Sequence, residues 1–225
     1  MPSTPAHSPE MHLVCQHGWG FSDRCWQGWL ELVPPPALLG NRGYWGTPNP
    51  VESLELPPGF VLVCHSLGLH LLSPGLLAKA GLVVIISGFA HFHGLRAEDG
   101  RFSRRHIDKM RSRLHKEPEG LIRDFHRDCA YPNSPPDRRT MDTELLARDL
   151  TLLDQSRLTA ERCQGIPPAL ILHGREDRIV RPERARELAE LLPASRVVII
   201  DHAGHGLPFT HPGLCLDLIR AAYQA

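Results

Sequence analysis

Three residues with catalytic potential each follow an apolar segment of the sequence. Ser66 follows the apolar run at 60–64, Asp177 the run at 169–173, and His205 the run at 196–200. A serine hydroxyl becomes a nucleophile for acyl transfer when a histidine takes its proton and a carboxylate orients that histidine. Because each residue alone is an ordinary loop residue, the interpretation rests on their order and shared placement. On this basis we predict a catalytic triad of Ser66, Asp177 and His205.

The segment around Ser66 has the composition of a nucleophile elbow, a sharp strand-to-helix turn that lifts the serine out of the sheet. The strained turn brings together the positions two before and two after the serine, so both must be small. Gly68 meets this requirement, and Cys64 replaces the usual glycine with another small residue. A second glycine-rich turn, HGWG at 17–20, follows the run at 12–16. We expect the backbone N–H groups of Trp19 and Leu67 to form an oxyanion hole.

Six apolar segments predict the strands that position these residues. They lie at 12–16, 37–39, 60–64, 82–86, 169–173 and 196–200. Runs that are apolar throughout are typical of parallel strands buried on both faces. Helices are predicted at 21–32, at 69–79 with a break at Pro74-Gly75, at 182–192 and at 214–223, which gives the alternation of a parallel α/β sheet. The carboxyl ends of parallel strands share one edge, so the three candidate residues would meet there.

Residues 91–164 have a different texture, because this segment is charged, helical in period and poor in β-branched runs. We therefore predict an α/β core at 1–90 and 165–225 with a helical lid inserted at 91–164. Between Arg101 and Lys116 the lid carries seven cations and a single anion, Asp108. A basic helical face next to the site would suit an acidic partner, although a solvated helix would have the same composition.

Composition excludes several other classes of protein. The 225 residues include 25 Lys and Arg and 25 Asp and Glu, so a polybasic nucleic-acid binder is not expected. No apolar run approaches the roughly 20 residues that span a bilayer, and residues 1–10 do not resemble a secretory signal, so we expect a cytoplasmic protein that does not contact membranes. The six cysteines form no CxxC pair and the 14 histidines show no ligand spacing. We predict reduced thiols, no metal, no cofactor and a monomer.

Together these motifs resemble the α/β-hydrolase superfamily, in which the serine, the acid and the histidine follow in this chain order. The strongest resemblance is to the pimeloyl-[acyl-carrier protein] methyl ester esterases of biotin synthesis. The matching segments are HGWGF at 17–21 with Trp26, Ser66-Leu67-Gly68, the loop with Asp177 and Val180, Gly204-His205, and the lid stretches 120–125 and 145–158. Family members carry two strands before the HG turn, whereas only about ten residues precede His12 here, so the resemblance implies a sheet reduced at its N-terminus.

The resemblance also implies an activity. It would be a serine carboxylesterase that releases methanol from a pimeloyl methyl ester held on an acyl-carrier protein. The basic lid residues Arg101, Arg104, Arg105 and Arg111 would then dock the acidic carrier and its phosphopantetheine phosphate. Trp19 and Phe89 would either line the acyl pocket or pack in the core. The alternatives are a general short-chain carboxylesterase or thioesterase, and an inactive α/β-hydrolase that serves as a binding module.

Overall fold

The fold is built on a six-stranded parallel sheet. It is taken from a computed structural model that describes residues 11–33, 37–94, 97–133 and 138–224. The strands are β1 Leu13–Gln16, β2 Ala37–Gly40, β3 Val61–His65, β4 Leu82–Ile86, β5 Ala169–Gly174 and β6 Ser195–Ile200. Each strand begins and ends within one residue of its prediction. The expected absence of strands before β1 concerns residues 1–10, which lie outside the described residues.

Sheet order fixes where a ligand can bind. The strands run in the order β2-β1-β3-β4-β5-β6, and every neighbouring pair is parallel. The chain moves outward from β1 to β2 and then crosses to the other side of β1 to form β3. The direction of winding therefore reverses between β1 and β3. In open parallel sheets the crevice beyond the carboxyl ends of two such strands is the preferred site for ligands.

Both faces of the sheet are buried under apolar side chains. Alternate residues of β3 enter opposite cores, with Val61 and Val63 on one face and Leu62 and Cys64 on the other. This two-sided burial explains why the strands are apolar throughout rather than alternating. Trp26 and Trp29 are fully buried on the first face, where they pack edge to face.

Helices cover both faces and one end of the sheet. They are α1 Gln27–Leu30, α2 Gly68–Leu71, α3 Pro74–Leu77, α4 Ala97–Lys116, α5 Pro118–Asp128, α6 Thr143–Gln155, α7 Glu183–Leu191, α8 Leu207–Thr210 and α9 Pro212–Tyr223. Short 3₁₀ turns lie at Asp23–Trp26, Val51–Ser53 and Arg138–Thr140. Of the described helices, none combines the length and the apolar character that crossing a bilayer requires.

Two predicted helices are shorter than expected. The helix predicted over 21–32 is a 3₁₀ turn followed by the single turn of α1, because Gly28 and the neighbouring aromatic and cysteine residues are weak helix formers. The helix predicted over 69–79 is interrupted at Leu72 and Ser73, just before the expected break. Pro74 forces the preceding residue into extended conformation, and the Ser73 side chain then caps α3.

Helices α4, α5 and α6 form a cap over the carboxyl edge of the sheet and fall within the segment 91–164. Their apolar faces meet in a third buried cluster, which contains Ile107, Ile122 and Leu150. Trp19 and Leu67, from the two turns at the sheet edge, belong to the same cluster. The cap therefore packs directly on the residues predicted to form the oxyanion hole. All six cysteines are buried free thiols.

Candidate active site

Ser66 occupies a strained turn between β3 and α2. Its φ is 53°, a left-handed conformation that non-glycine residues rarely adopt, and its N–H donates to the carbonyl of Ile86 at 2.9 Å. A Cβ on Gly68 would lie 2.8 Å from the carbonyl oxygen of Gln16, at the end of β1. The backbone of the elbow thus touches the first turn, and only glycine fits at this position. Ser66 itself is 8% exposed.

Cys64 takes the position that usually holds the first glycine of the elbow. Its side chain is fully buried in the core on the second face of the sheet. Burial raises the pKa of the Cys64 thiol well above its usual range, so the group is a neutral, small apolar residue. The structure therefore accommodates this departure without exposing a second nucleophile beside Ser66.

Asp177 and His205 form a buried pair beyond the ends of β5 and β6. The Nδ1 of His205 lies 2.8 Å from Oδ2 of Asp177, and Oδ1 accepts from the N–H groups of Ile179 and Val180 at 2.9 and 2.8 Å. Burial alone would raise the pKa of Asp177, but His205 and a hydrogen bond from His173 outweigh it and hold this pKa well below its usual range. The carboxylate is therefore ionised and fixes the proton of His205 on Nδ1.

The ring of His205 has a second nitrogen, Nε2, that Asp177 does not contact. Nε2 is buried, and it has no hydrogen-bond partner among the described residues. Ser66 and His205 both line this cavity. An unprotonated, unpartnered imidazole nitrogen is the group required to take the proton of a serine hydroxyl.

Two backbone N–H groups are available next to Ser66. Among the described residues, neither the N–H of Trp19 nor that of Leu67 has a backbone acceptor. A Cβ on Gly18 would lie 2.8 Å from the carbonyl of His65 and 3.0 Å from Cβ of Ser66, so the first turn lies against the elbow. Both sequence-predicted donors therefore border the serine, as an oxyanion hole requires.

The cavity has a volume of about 620 Å³ and lies between the sheet edge and the cap. Its apolar lining includes Trp19, Phe92, Met110, Leu121, Phe125 and Leu153. Six basic side chains and two acidic ones also line it: Lys109, Arg113, Arg127, Arg178, Arg181 and Arg184, with Asp124 and Asp128. Phe89 does not line it, because its ring is fully buried and stacks on His70. Of the two aromatic residues considered for the acyl pocket, the structure thus places only Trp19 there.

The four docking candidates on α4 fall into two pairs. Arg101 and Arg105 are exposed. Arg111 reaches Asp154 of α6 at 3.1 Å, and Arg104 lies 3.7 Å from the same carboxylate. Part of the basic charge of this helix therefore ties the cap together. Arg127 of α5 and Arg178 of the loop after β5 add cations at the cavity that were not among the predicted docking residues.

A family model described as the alpha/beta hydrolase fold matches residues 45–212. The chain belongs to the α/β-hydrolase fold family. A protein of Pseudomonas syringae pv. syringae described as a carbamate hydrolase, RutD, is 31% identical over 71 residues, which are 32% of this chain. The match spans only 27% of that relative's length.

Solved structures share the architecture of this α/β-hydrolase. An esterase from Exiguobacterium antarcticum has a TM-score of 0.75 and 13% identity, with 96% of this chain and 92% of that one covered. A hydrolase from Oleispira antarctica has a TM-score of 0.72 and 16% identity, with 96% and 92% covered. A thermophilic esterase from Thermogutta terrifontis has a TM-score of 0.71 and 16% identity, with 95% of this chain and 89% of that one covered. These likenesses confirm the predicted fold.

Two histidines beside the candidate triad were not assigned a role from the sequence. The Nε2 of His173 lies 2.8 Å from the carbonyl oxygen of Val180 and 3.3 Å from Oδ2 of Asp177. The Nε2 of His65 lies 3.0 Å from the carbonyl oxygen of His205. His173 ends the strand predicted at 169–173 and His65 directly follows the one predicted at 60–64, so each lies next to a candidate catalytic loop, and this position is the signal that would have selected them. Within the described part of the chain, no group of three metal-binding side chains is arranged to hold a metal ion.

Proposed function

We propose that this α/β-hydrolase is a serine carboxylesterase that hydrolyses the methyl ester of a pimeloyl group carried on an acyl-carrier protein in biotin synthesis. The observation that carries the proposal is the hydrogen bond from His205 to the ionised Asp177, with Nε2 of His205 unpartnered among the described residues and with His205 and Ser66 lining one cavity. Family membership supports hydrolase chemistry of this type. The choice of substrate is supported by the sequence resemblance and by the charge around the cavity.

The proposed reaction proceeds through an acyl-enzyme. Ser66 Oγ attacks the ester carbonyl as Nε2 of His205 takes its proton, and the N–H groups of Trp19 and Leu67 bind the developing oxyanion. The imidazolium then gives its proton to the departing methoxide, which leaves as methanol. Water, activated by the same imidazole, attacks the acyl-enzyme and releases the free acid and Ser66. Asp177 keeps the imidazole in one tautomer and stabilises its charged form.

The cavity has features that suit a carrier-bound acyl chain. Its apolar side chains would contact methylene groups, whereas its basic side chains outnumber the acidic ones six to two. Arg101 and Arg105 are exposed on α4, the helix that also contributes Lys109 and Met110 to the lining of the cavity. Such an arrangement favours an anionic partner through attraction that acts before contact.

Two measurements test the activity. A biotin auxotroph that lacks the methyl ester esterase should grow when supplied with this chain and should fail to grow with Ser66→Ala. A fluorophosphonate probe should label the wild-type protein and not Ser66→Ala. Failure of both would contradict the esterase proposal and favour a binding module, whereas labelling without complementation would favour a general short-chain carboxylesterase or thioesterase.

Charge reversal separates the carrier-bound substrate from a small ester. Arg101→Glu with Arg105→Glu, at two exposed residues that do not line the cavity, should reduce kcat/KM for pimeloyl-carrier methyl ester by about tenfold or more, with a much smaller change for p-nitrophenyl butyrate. Lys79→Glu, at an exposed lysine that does not line the cavity, is the matched control. Equal losses on both substrates would contradict carrier docking. This pair is preferable to Arg104 and Arg111, because reversing those charges would also break contacts with Asp154.

A further inference from the structure

Three hydrogen bonds to groups outside the sheet hold the turn that carries the Trp19 N–H. Nε2 of His126, on α5, lies 2.6 Å from the carbonyl oxygen of Gly20. The indole Nε1–H of Trp19 donates to the carbonyl of Leu146, on α6, at 2.9 Å. The backbone N–H of Arg42, in the loop after β2, donates to Nε2 of His17 at 3.0 Å. The position of this turn therefore depends on the cap and on the loop after β2.

The hydrogen bond between Arg42 and His17 affects the Trp19 N–H, the proposed oxyanion donor, through the ring of His17. Burial lowers the pKa of His17 to about 4, so its ring is neutral near pH 7. Because Nε2 accepts a hydrogen bond, the single ring proton must lie on Nδ1, which is 2.8 Å from the carbonyl oxygen of Gly18. That carbonyl and the Trp19 N–H belong to one planar trans peptide unit and point in opposite directions. Holding the carbonyl therefore also sets the direction of the N–H and strengthens it as a donor.

A buried carboxylate of the cap anchors Arg42. The guanidinium donates from Nε and from one terminal nitrogen to the two oxygens of Asp149, on α6, at 2.8 Å each. The hydroxyl of Tyr44 donates to the same carboxylate at 2.6 Å. Asp149 is only 2% exposed, and a buried carboxylate with paired donors is a rigid anchor. These contacts also raise the pKa of Arg42, with the hydrogen bonds that it donates to Asp149 as the main cause.

We propose that Asp149 is a positioning residue for the oxyanion hole, acting through Arg42 and His17 on the peptide that presents the Trp19 N–H. Asp149 does not line the cavity and has no route to the substrate. Asp149 would couple helix α6 to the turn at 17–20. The oxyanion hole would then be fully formed only when the cap is packed against the edge of the sheet. The inference rests on the proposed acyl transfer at Ser66.

Kinetics test the proposal with a control on the same helix. Asp149→Asn removes the bidentate partner of Arg42, whereas Asp154→Asn removes another α6 carboxylate that pairs with Arg111 and His93. On p-nitrophenyl butyrate, Asp149→Asn should lower kcat by about ten- to hundredfold with KM changed less than about twofold. Asp154→Asn should change kcat by less than about threefold. Arg42→Lys keeps the charge but loses the bidentate geometry, so its kcat should fall between those of the two aspartate variants. It replaces Asp149→Asn in the test if that variant does not fold.

Inhibitor affinities separate positioning from general damage. A trifluoromethyl ketone forms an oxyanion on Ser66, whereas an alcohol of the same chain length does not. Asp149→Asn should weaken the affinity for the ketone in proportion to the loss of kcat/KM and leave the affinity for the alcohol unchanged. A folded Asp149→Asn protein with wild-type kcat, or with equal losses for both ligands, would overturn the proposal.

A readout that needs no activity distinguishes this proposal from the proposed function. Selective ¹⁵N labelling of the four tryptophans gives four backbone amide signals, and Trp19→Phe identifies that of Trp19. This signal should shift in Asp149→Asn and stay in place in Asp154→Asn. An unmoved signal overturns the positioning role even in an active esterase. A wild-type protein that hydrolyses no ester and resists fluorophosphonate overturns the proposed function, and the amide signal then reports only whether Asp149 sets the position of the Trp19 peptide.

Discussion

His65 donates its Nε2–H to the backbone carbonyl of His205 at 3.0 Å, so the residue before the candidate nucleophile holds the backbone of the candidate base. A carbonyl only accepts, so the ring proton of His65 lies on Nε2. Burial lowers the pKa of His65 to about 3, and the ring stays neutral near pH 7. The hydroxyl of Ser87 donates to the same carbonyl at 3.2 Å. The end of β3 and the segments that follow β4 and β6 are thus tied together at one oxygen atom.

This shared acceptor predicts that two substitutions will be non-additive. His65→Leu and Ser87→Ala each leave one donor on the His205 carbonyl, and each should lower the unfolding free energy by about 1 kcal/mol. The double variant leaves a buried carbonyl without a donor and should lose about 1 kcal/mol more than the sum. Urea unfolding of the four proteins measures this coupling. Additive losses would show that the carbonyl finds another partner.

Asp177→Asn should change the tautomer of His205 rather than the fold. The asparagine oxygen can still accept from the N–H groups of Ile179 and Val180, which places its NH₂ opposite Nδ1 of His205. Nδ1 must then accept, the ring proton moves to Nε2, and the base can no longer take the proton of Ser66. We expect kcat to fall by about 10³- to 10⁴-fold. Steady-state kinetics together with thermal unfolding checks this, and loss of folding instead of activity would contradict it.

Two glycine substitutions should have opposite effects on stability. Gly68→Ala would place a methyl group 2.8 Å from the carbonyl of Gln16, so the two turns must move apart. We expect a loss of about 1–3 kcal/mol in unfolding free energy together with reduced kcat. Gly75, in α3, has open space around its Cα, and Gly75→Ala should stabilise by up to about 1 kcal/mol. Urea unfolding tests both, and a neutral Gly68→Ala would mean that the contact relaxes freely.

Buried neutral histidines should make the protein sensitive to mild acid. Burial lowers the pKa of His17 and of His70 to about 4 and that of His65 to about 3. Below the unfolded value of about 6.5, the unfolded chain binds protons that the folded chain does not. Unfolding free energy should therefore fall as pH decreases from about 6.5 to about 4, by about 2 kcal/mol per histidine at about pH 5.

The contribution of one histidine can be isolated. His70 lies apart from the candidate triad and its Nε2 is 2.9 Å from the carbonyl of Phe89. His70→Gln removes the titrating group, so the difference in unfolding free energy between about pH 7.5 and about pH 5 should shrink by about 2 kcal/mol. Urea unfolding at both pH values measures it. An unchanged difference would assign the acid sensitivity to other groups.

Local patterns in the sequence were sufficient to predict the sheet and to place the candidate triad residues. Two-sided burial of parallel strands requires an uninterrupted apolar run, so the positions of β3 and β4 can be predicted directly from the sequence. Ser66, Asp177 and His205 follow from their position after such runs. Aromatic spacing was a poorer guide, because Trp26 and Trp29 are buried by a 3₁₀ turn and a single turn of helix rather than by one long helix.

The network behind the first turn could not be predicted in this way. Arg42 and Asp149 are separated by 107 residues, and periodicity shows only that a helix has an inner face. An aspartate on that face is normally a destabilising feature, and its partners depend on how the cap sits on the sheet. The pairing of Arg104 and Arg111 with Asp154 was missed for the same reason, since charge counting along α4 does not reveal what α6 presents to it.

The six buried cysteines make the chain suitable for site-specific labelling. All are free, and burial raises the pKa values of the thiols of Cys15, Cys64 and Cys215 well above their usual range. Native thiols in this state react slowly with maleimides. A single cysteine introduced at an exposed cap position and another on the core would then be the reactive pair. Spin labels at such a pair would report the distance between cap and sheet in the otherwise unmodified protein.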